Sequence, residues 1–111
     1  MTGATPNIDI TPTQWAIVKS ILLRHVPRYD IWIFGSRARR TAKPYSDLDL
    51  AIMTDQPLPL ETRAALADDF SESDLPWKVD IVDWAATPES FKQVIDQHKI
   101  IVRPDGAASG R

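Results

Sequence analysis

Residues 35–50, with the sequence GSRARRTAKPYSDLDL, constrain the fold of this chain more than any other segment. The apolar residues 31–34 before it predict a short buried strand, which stops at Gly35 because a residue without Cβ permits a tight turn. A second strand is predicted over residues 47–53, where acidic and apolar residues alternate at the start. The chain is therefore expected to place a Gly35-Ser36 turn ten residues ahead of a strand that begins with two acids.

Those two acids, Asp47 and Asp49, are expected to point to the same face of the strand, because successive side chains alternate. Their Cα atoms would lie roughly 6–7 Å apart, so the carboxylates can hold a pair of metal ions about 3.5–4 Å apart, as in-line phosphoryl displacement requires. Mg²⁺ suits this pair because it takes oxygen ligands and shares them with substrate phosphates. A third acid, Asp80, lies between Val79 and Ile81 in a later strand-like run. A charged side chain between two buried β-branched residues is unusual unless it has a binding partner or a function.

The polar segment at residues 37–46 is predicted to be a loop beside the ligand, with a short basic turn at its start. Its basic side chains are Arg37, Arg39, Arg40 and Lys43. The net charge of −2 disfavours non-specific binding to nucleic acid, so these side chains are expected to bind the phosphates of a nucleotide rather than a duplex. A solvated run of charges is the structural alternative.

Each of these features also has a purely structural explanation. Gly35 and Ser36 are ordinary turn residues, and Asp47 and Asp49 could simply face solvent on a half-exposed sheet. Together with Asp80, however, they would put three acids on one face of a sheet. Such clustering raises the pKa values of the acids unless a cation binds there, so the combination favours a functional site.

The Gly35-Ser36 pair, the two acids of the second strand and the apolar-flanked Asp80 together resemble the nucleotidyltransferase superfamily of the polymerase beta type. Within that superfamily, the small size of the chain resembles the minimal nucleotidyltransferase antitoxins. The resemblance extends over nearly the whole chain. It implies an α/β (α+β) fold in which a small mixed sheet is flanked by helices.

By this resemblance, Gly35 and Ser36 would hold the triphosphate of a nucleotide, and Asp47 and Asp49 would bind two Mg²⁺ ions. Asp80 would complete the metal site and help deprotonate the acceptor hydroxyl. The implied reaction transfers AMP, or another nucleoside monophosphate, from ATP or a related triphosphate to that hydroxyl. The implied partner is a toxin of the HEPN class, a helical ribonuclease, for which this chain would be the antitoxin.

Two other functional classes are considered. A phosphatase of the haloacid dehalogenase type is disfavoured, because its nucleophilic aspartate lies at the end of an apolar strand, whereas Asp47 and Asp49 open theirs. A non-catalytic module that neutralises its partner by contact alone stays open. The presence of all three acids together with Gly35 and Ser36 favours the enzyme.

The composition sets the outer limits. With 111 residues, 43% hydrophobic and 25% charged, the chain is expected to form one domain around one core. The absence of cysteine fits a reducing compartment. The sequence shows neither a signal peptide nor an apolar run of about 18–20 residues, so neither export nor membrane insertion is predicted and a cytoplasmic location is expected.

Hydrophobic periodicity predicts the remaining elements. A first helix capped by Thr11 or Thr13 carries a stripe of Trp15, Val18, Leu22 and Val26 and ends at Pro27. Helical spacing recurs over residues 60–70, a strand is predicted over residues 77–83, and residues 99–102 are an edge strand or a packed extension. Asp83 is left out of the site, because its offset of three from Asp80 places it on the opposite strand face.

The last predicted helix starts with Thr87 as its cap and Pro88 in its first turn, and it turns Phe91, Val94 and Ile95 toward the core. The domain is expected to span residues 11–103, between a flexible N-terminus at residues 1–10 and a disordered tail at residues 104–111.

Overall fold

The computed structural model describes residues 5–105, along which four α-helices and four strands follow one another. In chain order they are α1 (Pro12–His25), β1 (Ile31–Phe34), α2 (Gly35–Arg39), β2 (Leu48–Ile52), α3 (Leu60–Ser71), β3 (Val79–Asp83), α4 (Glu89–Gln97) and β4 (Ile100–Val102), with a 3₁₀ turn at Trp84–Ala86 between β3 and α4. No helix in this part of the chain has both the length and the apolar character that crossing a membrane requires.

The strands form one sheet in the order β3-β2-β1-β4. β1 runs antiparallel to both β2 and β4, whereas β2 and β3 are parallel. This mixed sheet flanked by helices confirms the predicted fold class. The predicted helix at residues 60–70, the strand at 77–83 and the edge strand at 99–102 are confirmed as α3, β3 and β4.

The two faces of the sheet are separated by the alternation of side chains along each strand. In β2, Leu48 and Leu50 are fully buried in the main core, which α1 and α3 complete. Asp49 and Ala51 point to the other face, where Ala51 packs in a smaller cluster with Ile95 of α4. The predicted acids therefore lie on the side of the sheet that α4 only partly covers.

Helix α1 begins as predicted. The Thr11 hydroxyl accepts a hydrogen bond from the Gln14 backbone N–H, and the Gln14 side chain accepts one from the Thr11 N–H, both at 3.1 Å. This reciprocal pair satisfies two donors that a helix start leaves free. The buried positions of the helix are Trp15, Val18, Ile21 and Leu22, and Val26 is buried at its C-cap.

The start of α4 differs from the prediction. The helix begins at Glu89 with Pro88 as its N-cap, and no side chain caps it. Thr87 is not the cap, because its hydroxyl donates to the backbone carbonyl of Asp83 at 2.7 Å and closes the preceding 3₁₀ turn. The predicted cap of this helix is wrong, although the helix itself is present.

The prediction that three apolar residues of α4 face the core is only partly correct. Ile95 is fully buried, as predicted, but Phe91 is 40% exposed and Val94 56% exposed. Both side chains border an open cavity on the acidic face of the sheet, although the Phe91 ring also packs edge-on against buried Phe34 with their centroids 5.9 Å apart. Helical spacing identifies which residues share a face, but it does not show whether another element covers that face.

The polar segment after β1 is less irregular than predicted. Residues 35–39 form the short helix α2, so the loop begins only after Arg39. Arg40 follows in the left-handed region with φ 63°. The Thr41 backbone N–H donates to the Ser36 carbonyl at 2.9 Å, which ties the end of this turn to its start.

The domain boundaries stay a prediction, but the packed region extends past both of them. Ile8 is 4% exposed within the core, and Pro104 is fully buried. The Asp9 backbone N–H donates to the Arg37 carbonyl at 2.9 Å, so the segment before α1 is attached to α2. Residues 1–4 and 106–111, which carry the rest of the predicted flexible ends, lie outside the described residues.

Asp83 lies on the core side of β3, as its offset from Asp80 predicts, and it is 3% exposed. Its carboxylate accepts hydrogen bonds from the Thr54 hydroxyl and from the Leu58 backbone N–H, the latter at 2.7 Å. The connection between β2 and α3 is therefore attached to β3 through one buried acid.

Replacing Asp83 by alanine is expected to lower the free energy of unfolding by about 2 kcal/mol, because the buried Leu58 N–H and Thr54 hydroxyl lose their acceptor. Urea denaturation monitored by circular dichroism measures this change. The matched control is Asp55→Ala, an exposed acid on the same connection, for which a change under about 0.5 kcal/mol is expected. Equal stability of Asp83→Ala and wild type would contradict the structural role of Asp83.

Candidate active site

The parallel pairing of β2 and β3 brings two of the predicted acids together. Asp49 is in register with Asp80, so their side chains point to the same face on neighbouring strands. The two carboxyls are close enough for a hydrogen bond between them. Asp47 precedes β2 by one residue and adds its negative charge to the same cluster.

The electrostatics of this cluster are unfavourable without a cation. The pKa of the Asp49 carboxyl is raised from 3.8 to about 6, first by burial and then by the negative charges of Asp80 and Asp47. Arg39 acts in the opposite direction, but it does not cancel the effect. At neutral pH the folded chain therefore holds an ionised Asp49 where its surroundings favour the neutral form.

Asp49→Asn is expected to stabilise the protein by about 1 kcal/mol at neutral pH without divalent ions, after allowance for solvent screening. Because the pKa of Asp49 is raised on folding, the wild type loses stability as pH rises from 3.8 to about 6. The variant lacks that loss, so the stabilities of variant and wild type should nearly coincide below about pH 4, diverge between pH 4 and pH 6, and differ by a constant amount above that. Urea denaturation in EDTA over this range measures the difference. A constant difference at all pH values would contradict the assignment.

The donor set fits Mg²⁺ shared with a nucleotide. Within residues 5–105, no three acidic, histidine or cysteine side chains are already arranged around one point as a metal site. Mg²⁺ does not need such a cage, since it commonly uses one or two carboxylates and takes its other ligands from phosphates and water. Asp49 and Asp80, with Asp47 beside them, supply carboxylate oxygens, and Arg39 does not cancel the negative charge that acts on Asp49.

Gly35 lies against Asp49 where β1 passes into α2. Its φ of +79° is in the left-handed region, which favours glycine. A Cβ on this residue would lie 2.1 Å from Oδ2 and 3.1 Å from Cγ of Asp49. Position 35 therefore needs glycine for two reasons: its backbone conformation, and the Asp49 carboxylate, which occupies the space that a Cβ would need.

Arg37 has a different role from the predicted nucleotide contact. It is 5% exposed, and its guanidinium donates to the backbone carbonyls of Asp9 at 2.7 Å, Ser46 at 3.0 Å and Pro44 at 3.1 Å. The guanidinium also stacks 4.3 Å from the centroid of the Trp77 ring. Burial lowers its pKa. Arg37 thus supports the loop that leads into Asp47, and its donors are used within the chain.

The other predicted nucleotide-binding residues separate into two groups. Ser36 follows Gly35 in α2, and exposed Arg39 borders the same cavity as Asp49. Arg40 is turned away toward the N-terminal segment, where it hydrogen-bonds to the Asn7 side chain and pairs with Asp9 at 3.5 Å. Of the three arginines, Arg39 is the exposed one that acts on Asp49, whereas the charge of Asp47 acts on buried Arg37.

Two open cavities flank the acidic cluster. The first, here called the Gly35 cavity, has a volume of about 500 Å³ and is bordered by Gly35, Arg39, Asp49, Asp80, Phe91, Val94 and His98. The second, called the Trp77 cavity, has a volume of about 610 Å³ and is bordered by Tyr45, Asp47, Ala67, Phe70, Leu75, Trp77, Lys78 and Asp80. Asp80 borders both cavities. The acids therefore form a ridge between them.

The sequence reasoning missed most of the side chains that border these cavities. Phe91 and Val94 were interpreted as core, and Trp77 and Tyr45 were not assigned to the site. The signal available in the sequence was a tyrosine in a polar segment two residues before the first acid, and the structure leaves this side chain 77% exposed.

Comparison with known proteins gives three consistent findings. A family model described as polymerase beta, nucleotidyltransferase matches residues 18–106. A probable protein adenylyltransferase MntA from Haemophilus influenzae is 49% identical over 97 residues, covering 87% of this chain and 85% of that protein. The crystal structure of a toxin-antitoxin with AMP-PNP is 26% identical with a TM-score of 0.64, covering 76% of this chain and 68% of the other.

Proposed function

We propose, from the premise that this chain belongs to the polymerase beta nucleotidyltransferase family, that it transfers AMP from ATP to a hydroxyl group on a partner protein. The observation that carries the proposal is the pairing of Asp49 with Asp80 beside Gly35, where Asp47 adds further negative charge that Arg39 does not cancel. The name of the Haemophilus influenzae relative supports adenylyl transfer to protein, and the AMP-PNP of the related structure supports an adenine nucleotide.

Each residue of the site has a task in this reaction. Backbone N–H groups at Gly35 and Ser36, together with the Arg39 side chain, bind the β- and γ-phosphates. Asp47, Asp49 and Asp80 would hold two Mg²⁺ ions, which when bound neutralise charge on the phosphates. Asp80 also accepts the proton of the attacking hydroxyl.

The proposed transfer needs only ATP and the acceptor hydroxyl as reactants. The acceptor oxygen forms a bond to the α-phosphorus, the bond from that phosphorus to the bridging oxygen breaks, and pyrophosphate leaves with the electron pair. The residues act by positioning and by charge stabilisation, because phosphoryl transfer needs little covalent help from the protein.

The proposed partner is a toxin of the HEPN class, for which this chain acts as the antitoxin in the cytoplasm. The related toxin-antitoxin structure supports a toxin partner. The HEPN class follows from the resemblance of Gly35, Ser36 and the three acids to the minimal nucleotidyltransferase antitoxins. No nucleic acid acceptor is expected, because the chain has a net charge of −2.

The intact mass of the partner after co-expression tests the proposal. A gain of one or more AMP units, present with the wild type and absent with a variant that lacks the acids, supports enzymatic transfer. A partner that is fully silenced but unmodified would contradict it and would support neutralisation by contact alone. Incubation of the purified proteins with labelled ATP and Mg²⁺ provides the same measurement without the cell.

A further inference from the structure

The acids lie between two cavities, which gives the nucleotide and the acceptor of the proposed reaction separate places to bind. Asp49 borders the Gly35 cavity, Asp47 borders the Trp77 cavity, and Asp80 borders both. In an in-line displacement, the attacking and leaving oxygens lie on opposite sides of the phosphorus. If the triphosphate lies on the Gly35 side, the attacking hydroxyl arrives from the other side of the ridge.

We propose that the Trp77 cavity is the docking site of the acceptor, and that its occupant is a polypeptide segment whose side-chain hydroxyl reaches Asp80. This inference rests on the proposed function, because the in-line argument presumes nucleotidyl transfer. It adds the place where the acceptor binds and the residues that would recognise it.

The walls of the Trp77 cavity are suited to a polypeptide. Half-buried Leu75 lies beside the edges of the buried Phe70 and Trp77 rings, and Tyr45 is 77% exposed. Exposed tyrosine beside an apolar pocket is typical of protein interfaces, where it combines a large contact area with a polar end. A side chain from another protein can thus bury its apolar part there.

The charge of the cavity argues against a nucleic acid in the same place. Among its bordering residues, Lys78 is the one cation, and Asp47 and Asp80 are the two acids. Apart from the acids that would hold Mg²⁺, a phosphodiester backbone would therefore meet a single cation, whereas binding to nucleic acid depends on the number of phosphates neutralised.

The rear wall of the cavity is held in place before any partner binds. Trp77 is 7% exposed, and the buried Arg37 guanidinium stacks on its ring. Because Arg37 also binds the carbonyls of Pro44 and Ser46, it connects this wall to the loop that carries Tyr45. Docking would therefore cost little conformational entropy, because this wall is already ordered, and that favours recognition of a folded partner.

Ala67→Phe tests the assignment, because Ala67 is an exposed small residue of α3 that borders the cavity. Phenylalanine fills the space without adding charge near the acids. We expect the KM for the purified partner to rise at least about tenfold, with the Kd for ATP in Mg²⁺ changed by less than about twofold. The matched control is Ala64→Phe, an exposed position one turn earlier on the same helix that is not among the residues bordering the cavity, and for it neither value should change.

Tyr45→Ala provides a second variant on another element, at an exposed side chain of the same cavity, and it leaves the charge near the acids unchanged. As for Ala67→Phe, we expect a higher KM for the partner and an unchanged Kd for ATP. Thermal melting of each variant verifies that it is folded. If Ala67→Phe does not fold, the Tyr45→Ala result decides.

Three results would overturn the inference. Wild-type KM for the partner in both variants would show that the acceptor does not use the Trp77 cavity. Loss of ATP binding in Ala67→Phe, with Ala64→Phe intact, would show that the nucleotide occupies it. Transfer of AMP to the end of an oligoribonucleotide in place of the protein would identify a nucleic acid acceptor. Failure of the wild type to modify any acceptor would instead overturn the proposed function, and this inference with it.

Discussion

Joint replacement of Asp47 and Asp49 by asparagine is expected to reduce AMP transfer to the partner by on the order of 10³-fold or more, because metal binding supplies several kcal/mol of transition-state stabilisation. Asparagine keeps the size of each side chain but removes the charge that a divalent ion needs. The initial rate of labelled AMP incorporation, measured at saturating ATP and Mg²⁺, gives the size of the effect.

The fold of this double variant should be intact, because Asp49 opposes folding at neutral pH rather than supporting it. A melting temperature equal to or above that of the wild type in EDTA would verify this. The control with the same change in charge replaces Asp55 and Asp74 by asparagine, since both are exposed and lie outside the cluster. Undiminished labelling by the Asp47→Asn, Asp49→Asn variant would contradict the catalytic assignment.

Gly35→Ala is expected to lower transfer activity by about 100-fold, because the new Cβ would lie 2.1 Å from Oδ2 of Asp49 and would displace that carboxylate. It should also reduce the free energy of unfolding by about 2 kcal/mol, since alanine is strained at a φ of +79° and its Cβ clashes with the Asp49 carboxylate. Urea denaturation and the AMP transfer assay measure the two effects separately.

A double-mutant cycle with Asp49→Ala separates the clash from the backbone strain. With the Asp49 carboxylate removed, Gly35→Ala should cost only the strain, about 1 kcal/mol. The two substitutions are therefore expected to be non-additive in stability. Additive effects would show that the Cβ and the Asp49 carboxylate do not compete for the same space.

The local elements of the fold could be predicted because their signals are local. The Thr11 cap with its buried stripe in α1, the alternation through β2 and the edge strand β4 each depend on neighbours within a few residues. Thr87 shows the limit of this reasoning. Its side chain has the chemistry of a helix cap, but the hydroxyl binds the carbonyl of Asp83 in the preceding turn instead.

The candidate site was predictable in part. The exclusion of Asp83 follows from the period of a strand and is confirmed, whereas the shared face of Asp47 and Asp49 stays a prediction because Asp47 lies just before β2. The burial of Arg37 does not follow from any local pattern, because its partners include Asp9, which is distant in sequence. An arginine in a basic run has the same sequence signal whether it meets a ligand or backbone carbonyls.

By itself, the sequence determined which residue types were available and how they alternate: a glycine able to adopt positive φ at the end of β1, and acids on one face of β2 and β3. Only the tertiary structure decided that β3 lies beside β2 in parallel, which sets Asp80 against Asp49 and raises the pKa of the Asp49 carboxyl. Strand order and register depend on contacts between segments about thirty residues apart, and no local period encodes them.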